Sequence, residues 1–187
     1  MFAYKNKYYL YIDKTSIINL NLIKIRKKYS VIYRNFNKQE NIDILKLFRQ
    51  KCKRKGISFY IANDLRLLNI LKADGLYISS FNKEFHYLDK KIDIIGSAHN
   101  YKEIYTKQKQ GCNSIFISRI FKTDYKDKKG FLGVVKFNLI TQKTKSPIIP
   151  LGGIRLNNLN NLKNVNSKAL AILSEIKKKP AISNRLF

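Results

Sequence analysis

Residues able to do chemistry recur in this 187-residue sequence at one kind of place, just after short apolar runs. Asp13 follows Tyr8–Ile12, Arg34 follows Ser30–Tyr33, and Asn63 with Asp64 follows Ser58–Ala62. Ser79 and Ser80 follow Gly75–Ile78, Ser97 and His99 follow Ile92–Gly96, and Arg119 with Thr123 follows Ser114–Ile117. Gly152 and Gly153 follow Pro147–Leu151, and Ser174 follows Ala169–Leu173. Strand ends are polar in any protein and one alone means little, but a full ring of them suggests a site. Each residue also has a structural use. Asn63-Asp64 can cap a helix, Gly152-Gly153 can make a tight turn, Arg34 can be a solvated charge, and His99 can be a satisfied strand-end histidine. Neutral imidazole near pH 7 would equally suit proton transfer.

The elements that must position these residues are regular. The apolar runs are nearly continuous, as expected for strands buried on both faces of a parallel sheet. Between them lie candidate helices at Ile42–Lys53, Asp64–Lys72, Tyr101–Gln110 and Asn157–Asn164. Gly56 and Gly111 stand where the first and third should stop, and Asn100 where the third should start. Strands alternating with helices argue a parallel α/β fold. Eight such units argue a compact (β/α)8 TIM barrel as one domain over residues 1–187. Barrels of this kind usually need ~250 residues, so some helices should be shortened or replaced. The helix after the fourth strand is weakly patterned, and the Lys122–Lys145 connection is long. In such barrels chemistry sits at the C-terminal ends of the strands.

Composition narrows the classes. Apolar residues make up 44% and aromatics 12%, which excludes a disordered chain. Thirty-eight basic and 12 acidic residues leave a net charge of +26. That charge suits a polyanion, and it suits a phosphorylated small substrate equally well. The lysines are spread along the chain rather than gathered in one arm, which makes nucleic acid the lesser expectation. Cys52 and Cys112 fit no zinc or redox spacing, and a reducing cytoplasm is the expected setting. The N-terminus lacks a signal-peptide pattern, and no run of about 18 apolar residues would span a membrane.

The motif order resembles the thiamine phosphate synthase family. The pieces are Ile61-Ala-Asn-Asp64, Ala73-Asp-Gly75, Ile95-Gly-Ser-Ala-His-Asn100, Phe121-Lys-Thr-Asp-Tyr-Lys126, Gly152-Gly-Ile154 and Leu173-Ser-Glu-Ile176, with Arg34 at the end of strand two. No piece is specific alone; six in one order with compatible spacing are a much stronger signal. The resemblance implies a transferase that joins hydroxymethylpyrimidine diphosphate to thiazole phosphate, releases pyrophosphate and uses Mg²⁺. It implies that Arg34, Lys126 and Ser97 act in catalysis, the two cations on the leaving pyrophosphate. Asp64 would hold Mg²⁺. Asn63 would hold a diphosphate oxygen, and Thr123 the pyrimidine or the pyrophosphate. Gly152, Gly153 and Ser174 would take the thiazole phosphate. The chain departs from the family pattern at Ile32, Phe36, Tyr77, Ser79, Asn82 and Tyr125, although Lys38 stands near Phe36. Asn82 replaces the second magnesium carboxylate. The region of His99 also resembles a related thiazole tautomerase, and a degenerate barrel that binds phosphorylated ligand or nucleic acid without turnover is the remaining alternative.

Overall fold

The computed structural model describes residues 6–23, 27–35, 40–86, 92–123 and 130–172. Within them eight strands close into a barrel in sequence order. They are β1 Lys7–Ile12, β2 Tyr29–Tyr33, β3 Ser58–Ala62, β4 Gly75–Ile78, β5 Asp93–Ala98, β6 Ser114–Ser118, β7 Ile148–Leu151 and β8 Ala169–Ile172. Every neighbouring pair is parallel, and β8 returns to β1 with Leu170 beside Tyr8 and Ile172 beside Leu10. The helices are α1 Ile42–Arg54, α2 Leu65–Leu71, α3 Tyr101–Lys109 and α4 Gly133–Gln142.

Alternation along the strands explains the closure. One set of side chains fills the inside: Tyr9, Tyr11, Ile32, Tyr60, Tyr77, Ile95, Phe116, Ile149, Leu151 and Ala171. The other set, including Leu10, Val31, Phe59, Leu76 and Ile115, faces the helices and meets Leu45, Phe48, Leu68, Ile104 and Phe137. Aromatic rings take much of the interior. Phe116 stands edge-on to Tyr9 at 4.9 Å and to Tyr11 at 5.9 Å, and Tyr11 stands edge-on to Tyr77 at 5.4 Å. Gly75 makes this possible. A Cβ there would lie 2.6 Å from the Tyr60 ring. The Tyr60 hydroxyl reaches β5 and donates to Asp93 Oδ2 at 2.6 Å, while Asn113 donates to Asp93 Oδ1 at 2.8 Å. The Asp of Ala73-Asp-Gly75 is a brace: Asp74 accepts from the Phe59 amide at 2.7 Å and from Arg49 at 2.8 Å.

The differences from the sequence reading lie in the connections. Between β1 and β2, where the sequence offered no candidate helix, the described residues hold 3-10 turns at Thr15–Ile17 and Leu20–Leu22, in line with the expected replacement of some helices. The segment Asn157–Asn164, expected as a helix, lies in a 3-10 run over Leu156–Asn164. The long Lys122–Lys145 connection contains α4, which the sequence pattern did not reveal. Strand five runs two residues past Gly96, so Ser97 lies inside β5 rather than after it. Gly96 fits there because any Cβ would press on Cys112 Sγ at 2.7 Å and Lys107 Cδ at 2.9 Å.

Candidate active site

The C-terminal mouth of the barrel collects the strand ends named above. At the corner of β2, β3 and β4, Arg34 continues the inward face of Ser30 and Ile32. Its guanidinium lies 5.8 Å from the centre of the Tyr77 ring, which supports it from below as a cation–π platform. Asn63 holds a left-handed backbone, φ +55°, which asparagine tolerates better than most residues. Its carboxamide forms a two-bond pair with Ser79: Oδ1 accepts from the Ser79 amide at 2.8 Å, and Nδ2 donates to Ser79 Oγ at 2.7 Å. Asn63 therefore fastens β3 to β4, and the side chain keeps one further N–H. Ser79 thus has a defined use, one that sequence alone did not assign.

Asp64 is the N-cap of α2, with Oδ1 accepting from the Leu67 amide at 2.8 Å. Its Oδ2 has no hydrogen bond among the described residues. Asn82, where a second carboxylate was expected, turns its Oδ1 to the Glu84 amide at 2.9 Å. No group of three metal-ligating side chains exists among the described residues. The donor set still fits Mg²⁺, which is commonly held by one or two carboxylates together with substrate phosphates. Asp64 Oδ2 would be this chain's charged contribution.

On the next strand round the mouth, Ser97 is buried near the end of β5. His99 is exposed and serves the start of α3: its amide donates to Glu103 Oε2 at 2.8 Å, and its Nδ1 lies 3.0 Å from the same oxygen. Asn100 completes this cap, accepting from the Glu103 amide at 2.9 Å. Thr123 receives a hydrogen bond from Arg119 Nη1 at 2.8 Å, and Arg119 Nη2 donates to the Gly130 carbonyl at 2.6 Å. Gly152 and Gly153 both hold positive φ, +89° and +72°. Gly152 lies against the Arg119 side chain. A Cβ on Gly153 would run into the Phe121 carbonyl and sit 2.7 Å from the Lys122 carbonyl oxygen. The turn after β7 is thus pressed onto the chain after β6, and only glycine fits. Lys126, Tyr125, Phe36, Lys38 and Ser174 lie outside the described residues.

Behind the mouth is an unexpected buried cation. Lys107 of α3 has no exposed surface and donates to the Asn82 carbonyl at 2.6 Å and to Gln110 Oε1 at 2.8 Å. Gln110 Nε2 donates to the Glu84 carbonyl at 2.7 Å. Helix α3 thereby holds the segment after β4. Burial lowers the Lys107 ammonium to about 8. Burial pushes the Cys52 and Cys112 thiols up to about 12, so both are unreactive.

With this geometry in view, comparison with known proteins is decisive. A family model described as thiamine monophosphate synthase matches residues 11–176. The chain belongs to that family. A thiamine-phosphate synthase of Prochlorococcus marinus is 33% identical over 129 residues, 67% of this chain and 37% of that protein. The chain thus spans little more than a third of that relative. Another from Fusobacterium nucleatum subsp. nucleatum is 27% identical over 96% of this chain and 88% of that protein. Among solved structures, a thiamine phosphate pyrophosphorylase from Pyrococcus furiosus superimposes with a TM-score of 0.79 at 17% identity, covering 98% of this chain and 94% of that one. That last likeness establishes the shared barrel. Among the described residues, no helix is long and apolar enough to cross a membrane.

Proposed function

We propose that this synthase-family barrel is a transferase that joins hydroxymethylpyrimidine diphosphate to thiazole phosphate and releases pyrophosphate. The observation that carries the reading is the family match over residues 11–176. The ring of polar strand ends supports it. In this reading Arg34, preoriented on Tyr77, meets the charge that gathers on the departing pyrophosphate. A guanidinium suits this because it presents a planar fork to phosphate oxygens. Asn63 spends one N–H on Ser79 and offers the other to a diphosphate oxygen. Ser97 donates to substrate from the buried end of β5. The Gly152–Gly153 turn lets backbone amides approach the thiazole phosphate, with Ser174 beside it. Lys126 adds a second cation. Mg²⁺, held through Asp64, would neutralise the diphosphate and aid its departure. The one-domain organisation of residues 1–187, a cytoplasmic setting and small phosphorylated partners rather than nucleic acid belong to the same reading.

The thiazole tautomerase alternative rests on His99. Its Nδ1 is engaged by Glu103, which leaves Nε2 for a proton. That engagement also serves the helix cap, so the transferase reading is preferred.

The test is product formation from the two substrates, with each omitted in turn. Thiamine phosphate that appears only when both are present supports the transferase. Proton exchange on the thiazole phosphate alone, lost in H99A, would favour the tautomerase instead.

A further inference from the structure

Arg119 was only one polar strand end among many in the sequence, and the transferase reading gives it no part. Its position is specific. The guanidinium donates to Thr123 Oγ1 at 2.8 Å and to the Gly130 carbonyl at 2.6 Å, so the fork spans the connection between β6 and α4. The main chain closes the same connection: the Leu132 amide donates to the Arg119 carbonyl at 2.9 Å, and the Gly133 amide to the Ile120 carbonyl at 2.9 Å. The aliphatic part of Arg119 lies along Gly152, where a Cβ would meet its Cγ at 3.4 Å. One side chain thus touches both the threonine after β6 and the glycine turn after β7.

The chemistry of a hydroxyl gives this contact a direction. Threonine carries one O–H donor and two acceptor lone pairs. An arginine has donors only, so the Arg119 bond occupies a lone pair of Thr123 and leaves the proton to be given away. A cationic donor also polarises the hydroxyl it binds, which makes that O–H a stronger donor in turn. An anionic oxygen is the acceptor that such a hydroxyl suits best.

We propose that Arg119 is a positioning residue that holds the Thr123 hydroxyl as a donor to a phosphate oxygen of substrate, beside the Gly152–Gly153 turn. This rests on the proposed function for the identity of the substrate, and not for the phosphate chemistry. The phosphate can belong to the thiazole phosphate or to the diphosphate, and the two substrates separate these sources.

The test uses the full chain as wild type, R119A, R119K, T123V and R119A/T123V. Calorimetry with inorganic phosphate and with inorganic pyrophosphate measures binding without turnover. Steady-state KM for each substrate follows where turnover exists. One hydrogen bond to a charged group corresponds to roughly tenfold in affinity. R119A and T123V should therefore each weaken one of the two anions about tenfold, and raise the matching KM with little change in kcat. The double variant should be no worse than either single one, since both remove one donor. R119K should recover part of the loss. Independent, multiplying losses in the double variant would overturn the proposal. So would unchanged binding in R119A, or equal losses for both anions accompanied by a lowered melting temperature. Should R119A not fold, R119K against T123V decides: a lysine makes one of the two bonds, and binding by R119K as weak as by T123V in a stable protein would overturn it. A wild type that binds the anions but makes no thiamine phosphate would sink the transferase reading and leave the Arg119 account standing.

Discussion

Asp64 has one observed task and one proposed task, and a substitution can separate them. Oδ1 caps α2 through the Leu67 amide, and Oδ2 is the proposed contact with Mg²⁺. Serine also caps helices but carries no charge. D64S is expected to keep the melting temperature near that of wild type and to lose at least about a hundredfold in pyrophosphate release, given what a positioned charge contributes to such a transition state. D64A should lose the cap as well, about 1 kcal/mol of stability. Full activity in D64S would remove Asp64 from the metal site. Sequence made Asp64 visible for either task, and of the two the structure shows the cap. Asn63 was less legible. Its two bonds to Ser79 join residues 16 positions apart, and no local pattern shows such a pair. The same holds for Tyr60 and Asp93.

At the scale of elements, the strands were legible because a strand buried on both faces is a continuous apolar run. Helix α4 was not, for the opposite reason. Its apolar residues point both ways: Phe137 and Ile140 are buried, while Val135 and Leu139 are exposed, and no side chain caps its start. Strand β5 seemed to end at Gly96 because glycine and serine break an apolar run, yet Gly96 is there to admit Lys107 and Cys112. Gly75 does similar work for Tyr60. G75A should destabilise the fold by about 3 kcal/mol, the upper end for overpacking a tight core, measurable by denaturant titration. Lys107 reads in sequence as one more solvated helix lysine, and only the structure shows it buried against the Asn82 carbonyl and the Gln110 side chain. Its folded pKa, about 8, lies below the ordinary 10.5. Between those values the unfolded chain holds a proton that the folded chain has released. Stability from this group should therefore rise as pH goes from about 8 toward 10. K107M should lack that rise when melting is followed across the range. An identical pH profile in both proteins would mean that the lysine is solvated.

The whole molecule carries +26, and several of its 12 acidic residues are occupied internally. Asp74 braces β3, Asp93 holds Tyr60, Glu40 binds Thr15 and the Glu103 carboxylate accepts from the His99 amide. The net charge is strongly positive, and in the proposed function it would draw a phosphorylated substrate toward the protein. Raising salt from about 50 to about 500 mM should lower kcat/KM several-fold and leave kcat nearly unchanged, because screening acts on encounter. A salt-independent kcat/KM would show that the charge plays no part in substrate capture. Composition exposed this charge at once but could not tell a phosphorylated metabolite from a polyanion; the barrel and its family make the small substrate the better reading.

The most direct test of the account is pyrophosphate release from hydroxymethylpyrimidine diphosphate and thiazole phosphate, followed as Mg²⁺ is titrated in. The account predicts release that needs both substrates, rises with Mg²⁺ to saturation and stops when a chelator is added, which would mean that Asp64 suffices where Asn82 replaces a carboxylate. Folded protein that binds both substrates and releases no pyrophosphate at any Mg²⁺ concentration would contradict it, and would make this barrel a family member that holds phosphorylated ligands without joining them.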